Sequence, residues 1–328
     1  MEPRIAPGHC ILLAAFMMLA PAGPVEAQRP FDGLSCENPD LGFELGEFPS
    51  ALTLHTGNAT EPVSRRPFFL DFPCDLEPGS EVTFVLNLHG GGSLGNWQRH
   101  YFPIFHYKDE YNLVIATPDA GEPGGGTWSP AVDDEYLEGV VTYVHDLFSD
   151  YDITFWFAGH SFGGATTRRL ICTDFYQAFD PVGFVSLSGG RVGSPRAGRG
   201  GGPPAALPEC DFSHVFTVGE HEASGGELDE VSSWAERYRC DARVVQQDII
   251  DTRPGYAYDS GRQNPGTQAW GLLPRPGVTE WQIYPGCDGG RVVADLIRID
   301  KGHTEGLEEN VVEQIVQLMM AVGREATQ

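Results

Sequence analysis

Lysine is nearly missing from this chain. Among 328 residues only Lys108 and Lys301 occur, and all lysines and arginines together number 21 against 46 acidic residues, a formal net charge of −25. So acidic a surface repels a phosphate backbone and an anionic bilayer alike, which argues against nucleic acid and membrane as partners. Solubility or adaptation to salt is the plain meaning of the excess. Long apolar runs are missing too: residues 11–20 (ILLAAFMMLA) form the most apolar stretch, too short to span a bilayer. Pro21, Pro24 and the small-residue pattern Val25-Glu26-Ala27 follow it, as in a secretory signal peptide cleaved after Ala27. A secreted protein, extracellular or periplasmic, is therefore expected. Cys-x-x-Cys pairs, Cys/His clusters and internal repeats are absent, so neither a metal site nor a repeat array is expected.

Cysteine is sparse but even in number once the signal peptide is gone. Of seven, Cys10 leaves with the signal, and Cys36, Cys74, Cys172, Cys210, Cys240 and Cys287 remain. An even set in a secreted chain reads as disulfides. Chain order suggests Cys36 with Cys74, Cys172 with Cys210 and Cys240 with Cys287, each bridge stabilising by about 2–4 kcal/mol.

The 41% hydrophobic content is enough for the core of one large domain. Apolar runs rich in branched side chains mark strands at 67–71, 82–88, 113–116, 153–158, 183–187, 215–218 and 292–299. Between them, helical spacing of apolar residues predicts helices at 132–148, 163–175, 228–238 and 307–322. This alternation predicts an α/β fold, a mostly parallel central sheet with helices on both faces. Residues 28–65 read as an entry segment with first strands, one at 51–55, and 66–328 as the main domain. Within it, 189–204 is a Gly/Pro/Arg loop, a surface loop rather than a gate, and 246–286 is an insert carrying Tyr256, Tyr258, Trp270, Trp281 and Tyr284. Ligands of such sheets bind beyond the carboxyl ends of the strands.

Two glycine motifs fall there. Gly159-His160-Ser161-Phe162-Gly163 joins the strand ITFWFA to a helix, the context in which a sharp turn exposes a serine hydroxyl at a helix N-terminus. His89-Gly90-Gly91-Gly92 ends the strand at 82–88. The N–H groups of Gly91 and Phe162 are placed to hold a developing oxyanion, a contribution of about 10²–10³ in rate. Serine needs a base, and in this order of elements the base follows the last strand, where His303 lies; His214 and His221 are less well placed. Glu222, or Glu220, follows the strand at 215–218 as the acid that orients the base, with Asp229, Asp248 and Asp251 as fallbacks. Trp97, Trp128, His160 and the aromatics of the insert are candidate substrate contacts.

The chain resembles the secreted α/β-hydrolase esterases that include polyhydroxybutyrate depolymerases and the feruloyl and acetylxylan esterases. Arg66-Pro67-Phe68-Phe69-Leu70, His89-Gly90-Gly91, Thr117-Pro118-Asp119, Trp128 with Val132-Asp133-Asp134, the turn at Ser161, Trp234 with Cys240, and Cys287 to Gly302-His303 carry the likeness. The resemblance implies the α/β-hydrolase fold, a Ser–acid–His hydrolase of polyester or plant cell-wall esters, no metal or organic cofactor, and pairing of Cys240 with Cys287. A monomer is expected. Departures from the family pattern are Glu222 where an aspartate is usual, His160 where an apolar residue is usual, and His303-Thr304-Glu305-Gly306 where Trp-Pro-Gly usually follows the base. Rival readings are a non-catalytic binding protein on the same scaffold and a peptidase of the same fold.

Overall fold

The computed structural model describes residues 31, 33–36, 38, 57–121, 126–191, 207–223, 230–255, 270–271 and 275–322. The signal segment 1–27, the strand expected at 51–55, most of loop 189–204, Asp229, Tyr256 and Tyr258 lie outside these residues. The elements below belong to the compact unit Gly33–Gln328.

Among the described residues eleven strands form one sheet: β1 Ala59–Thr60, β2 Pro67–Asp71, β3 Glu81–Leu88, β4 Leu113–Pro118, β5 Asp152–His160, β6 Gly183–Leu187, β7 Ser213–Gly219, β8 Val244–Val245, β9 Ile249–Ile250, β10 Val278–Tyr284 and β11 Val293–Arg298. The helices are α1 Gly95–Tyr101, α2 Lys108–Tyr111, α3 Pro130–Leu147, α4 Phe162–Leu170, α5 Asp174–Gln177, α6 Ser233–Arg237 and α7 Glu309–Met320. The strand order is β1-β2-β4-β3-β5-β6-β7-β11-β10-β8, with β9 also on β10. From β4 through β11 the neighbours run parallel, while β2 and β10 join antiparallel at either side. A mixed, mostly parallel sheet of this order with flanking helices is the α/β-hydrolase fold, as the alternation of elements led one to expect.

Period-two alternation divides the core. Val85, Ile115, Trp156, Ala158, Val185, Leu187, Val215 and Leu296 pack with Trp97 and Tyr101 of α1 and Val311, Val312 and Ile315 of α7. The opposite parity turns the other way, where Phe84 stacks on Phe155 at 4.9 Å and both meet His145 of α3 edge-on. Both strand faces are buried, which is why β3 to β6 read as continuous apolar runs.

Three disulfides among the described residues, Cys36–Cys74, Cys172–Cys210 and Cys240–Cys287, tie connecting segments of this frame together. Among the described residues, no helix is long and apolar enough to cross a membrane. One expectation needs correction. The helix at 163–175 is two pieces, α4 and α5, because Thr173 is extended and Cys172 is tied to Cys210. Within the stretch 246–286 lie β9 and β10, and its Trp281 donates to the Gln247 carbonyl at 2.8 Å.

Candidate active site

β5 ends at His160, and Ser161 occupies the turn into α4 with φ 52° and ψ −114°. A positive φ at a non-glycine residue costs of order 1–3 kcal/mol and survives only where neighbours enforce it. Here the enforcement is backbone crowding. A Cβ on Gly159 would lie 2.6 Å from the Gly163 carbonyl carbon, and one on Gly163 would lie 2.3 Å from the Leu88 carbonyl oxygen. Glycine at both positions lets α4 press against the ends of β3 and β5, while Ser161 N–H donates to Leu187 O at 2.9 Å. The serine side chain is left at the head of a helix, beyond the strand ends.

His303 comes from the loop between β11 and α7. Its Nε2 lies 2.7 Å from Ser161 Oγ, and its Nδ1 hydrogen-bonds Glu222 Oε2. A carboxylate only accepts, so Nδ1 carries the proton and Nε2 is the acceptor that faces the serine hydroxyl. Glu222, just past β7, is itself fixed: Oε1 accepts from the Ser188 hydroxyl and from Gly219 N–H, the latter at 3.0 Å. The Glu222 and His303 side chains are 8% and 14% exposed, dry enough for this charge-assisted hydrogen bond to be strong. The rival acids sit elsewhere. Glu220 accepts from Asp300 N–H at 2.8 Å, and Asp251 accepts from Asn310 N–H at the start of α7. His221 pairs with Asp300 and His214 is buried beside Trp234.

Gly91 and Phe162 are neighbours across the turn, since a Cβ on Gly91 would lie 3.5 Å from that of Phe162. Neither N–H donates to a group among the described residues. The Gly90 carbonyl accepts from His89 Nδ1 at 2.7 Å and from Ser93 N–H at 3.2 Å. Because the peptide unit is planar and trans, anchoring that carbonyl aims the Gly91 N–H the opposite way. The His89 ring is itself held in place, since Ala120 N–H donates to its Nε2 at 2.9 Å and Trp128 lies 4.7 Å away, ring to ring. Burial pushes the His89 pKa down, so the ring stays neutral and keeps both bonds.

The expected substrate contacts are placed differently. Trp97 and Trp128 are interior, 2% and 3% exposed, and Trp128 Nε1 donates to the His89 carbonyl at 2.8 Å. They brace the loops of the site from behind. His160 also points inward, with Nε2 2.9 Å from the His303 carbonyl oxygen. Tyr284 is buried and bound to Arg191 and Ser232. By contrast Phe162 is 43% exposed beside Ser161, and Trp270, half-buried, meets the His303 ring edge-on at 5.2 Å. Ser188, Tyr101 and the contact of Trp270 with the base carry no local sequence signal; only the fold assembles them.

No protein-family model matches the chain, nor does any curated protein sequence. Among solved structures, an acetyl xylan esterase from Aspergillus awamori is similar at 11% identity and TM-score 0.45, over 77% of this chain and 93% of that one. LpqC, a poly(3-hydroxybutyrate) depolymerase from Bordetella parapertussis, is similar at 16% identity and TM-score 0.32, over 56% and 71%. FphF, a fluorophosphonate-binding serine hydrolase of Staphylococcus aureus, is similar at 17% identity and TM-score 0.32, over 51% and 78%. The fold assignment rests on the strand order, and the site stands on its own geometry.

Proposed function

We propose that the protein is a secreted serine esterase that cleaves carboxylic esters through Ser161, His303 and Glu222. The observation that carries the reading is the unbroken chain from Ser161 Oγ, 2.7 Å from His303 Nε2, through Nδ1 to a carboxylate that two further donors hold in place. In that chain His303 takes the serine proton as Oγ attacks the ester carbonyl carbon. The carbonyl oxygen gains the charge and is held by the N–H groups of Gly91 and Phe162. Collapse of the tetrahedral intermediate breaks the carbon–alkoxy bond, and His303 returns its proton to the departing alcohol. Water, deprotonated by His303, then attacks the acyl-Ser161 ester; the bond from the carbonyl carbon to Oγ breaks, His303 returns the proton to Ser161 Oγ, and the acid is released. Three disulfides support an oxidising compartment and so a secreted enzyme.

The substrate class follows from the sequence resemblance: a polyester of the hydroxybutyrate type or a feruloyl or acetyl ester of plant cell walls. The net charge of −25 favours a neutral substrate over an anionic one. Hydrolysis of p-nitrophenyl butyrate by wild-type protein, lost in S161A and H303A variants of unchanged fold, is the expected result. Parallel assays on hydroxybutyrate oligomers, methyl ferulate and acetylated xylan assign the substrate. An inactive wild type, or an S161A variant as active as wild type, contradicts the reading.

A further inference from the structure

His160 stands next to Ser161, yet its ring is turned away from solvent and toward the backbone of His303. We infer that His160 is a positioning residue that ties the base to the nucleophile turn through the His303 carbonyl, an inference that rests on the reading of Ser161, His303 and Glu222 given above. The side chain is 3% exposed, and its Nε2 lies 2.9 Å from His303 O. A carbonyl only accepts, so Nε2 carries the proton and Nδ1 is bare. Among the described residues Nδ1 has no hydrogen-bond partner, and it packs on the oxyanion loop, where a Cβ on Gly90 would come within 2.7 Å of it. Trp97 and Tyr101 close over the ring at centroid distances of 5.3 and 4.1 Å. Tyr101 adds a second, longer donor to the same carbonyl, at 3.4 Å. One side chain thus touches all three working parts: it follows Gly159 on the Ser161 turn, packs on Gly90, and holds the backbone of His303.

The base needs such a tie because it stands on neither helix nor strand. β11 stops at Arg298 and α7 starts at Glu309, and the loop between them is anchored at its far half by Arg298 donating to Glu305 O and Gly306 O, both at 2.7 Å. In the near half His160 and Tyr101 hold the His303 carbonyl itself, beside His221 N–H on Lys301 O at 2.9 Å and Thr304 N–H on Trp270 O at 3.0 Å. A neutral ring suits the place. His303 lies 4.8 Å away ring to ring, and His89 and Arg298 also act on the site, so a charged donor at 160 would oppose the imidazolium that forms on His303 during reaction. Burial, reinforced by those neighbours, holds the His160 pKa well below its usual value. An apolar residue at 160 fills the space without the hydrogen bond, whereas glutamine carries its amide nitrogen to the position of Nε2.

The test compares wild type, H160L and H160Q by kcat and KM on p-nitrophenyl butyrate across pH 5–9, with ¹⁵N NMR of the histidine rings of wild-type protein. H160L is expected to lose about 10²-fold in kcat with KM little changed, the scale of a misplaced catalytic group. H160Q restores most of that loss, and His160 reads as a neutral Nε2–H ring throughout. Wild-type kcat in H160L, or an H160Q as slow as H160L at equal melting temperature, overturns the inference. So does an Nδ1–H or titrating His160, a readout that stands even if H160L does not fold. Failure of the esterase reading is separately visible as wild-type protein that hydrolyses no ester.

Discussion

The Ser188 hydroxyl donates to Glu222 Oε1, the carboxylate oxygen that His303 leaves free. Ser188 sits just past β6 with φ 49°, its own N–H bound to Thr217 O at 2.7 Å, so its direction is set by the backbone. Removing the carboxylate's charge should cost most: E222Q is expected to lower kcat by roughly 10⁴-fold, because an amide no longer fixes the productive tautomer or offsets the imidazolium. S188A removes one charge-assisted hydrogen bond and should lower kcat by about tenfold. Steady-state kinetics on a p-nitrophenyl ester checks both, and an E222Q enzyme near wild-type rate would remove Glu222 from its role.

A buried ion network underlies the base loop. Arg298 Nε lies 3.0 Å from Glu308 Oε2 and Lys301 Nζ 2.6 Å from Oε1, with every partner no more than 2% exposed. Burial alone would raise the Glu308 pKa, but Arg298 and Lys301 together hold it below its usual value of 4.5. The pair's contribution is therefore present above the unfolded value and is lost as pH falls through the lower folded one. E308Q should destabilise by about 3–5 kcal/mol at neutral pH, since Arg298 loses its buried carboxylate partner and Lys301 the nearer of its two. Urea unfolding measures it, and a change under about 1 kcal/mol, the scale of an exposed pair, contradicts the assignment.

His214 is buried against Trp234, and neither ring nitrogen has a hydrogen-bond partner among the described residues. Burial takes its pKa from 6.5 to about 3. Between those values the unfolded chain holds a proton that the folded one does not, so this residue makes stability fall as pH drops, by about 1.4 kcal/mol per pH unit. H214F loses no hydrogen bond and removes that drain. Its stability relative to wild type should rise as pH falls from about 6.5 to 5 in chemical denaturation, whereas a difference that stays constant across that range rejects the linkage.

Gly163 leaves no room for a side chain against Leu88 O. G163A should destabilise by about 1–3 kcal/mol by overpacking and should lower kcat, because relief of the clash moves Ser161 with the start of α4. Thermal unfolding and ester hydrolysis, measured together, check both; an unchanged kcat would detach the turn from the chemistry.

The parts that are legible in the sequence are those whose cause is local. A strained strand-to-helix turn demands glycines at fixed offsets, so Ser161 stands out, and strand ends mark the positions of His303 and Glu222. α1 is hidden because all seven of its residues are buried although Asn96, Gln98, Arg99 and His100 are polar, so the spacing of polar and apolar residues does not mark its faces. β10 is hidden because proline-rich sequence precedes it and its Trp281 and Tyr284 suggest a binding surface rather than an antiparallel partner of β11. Trp97, Trp128 and His160 are legible as aromatic residues near the site, but their direction is set by tertiary packing: the indoles brace the loops and the imidazole turns inward. The contact of Trp270 with His303 is of the same kind, made by Thr304, whose N–H donates to Trp270 O at 3.0 Å across a long sequence gap.

The measurement that bears most directly on the account is covalent labelling of the folded, secreted protein with a fluorophosphonate, followed by peptide mass analysis. One adduct per chain on the peptide that contains Ser161, absent in S161A and slowed in H303A and E222Q, is the predicted result. An unlabelled Ser161 in correctly folded wild-type protein, or an adduct that persists in S161A, would contradict the account.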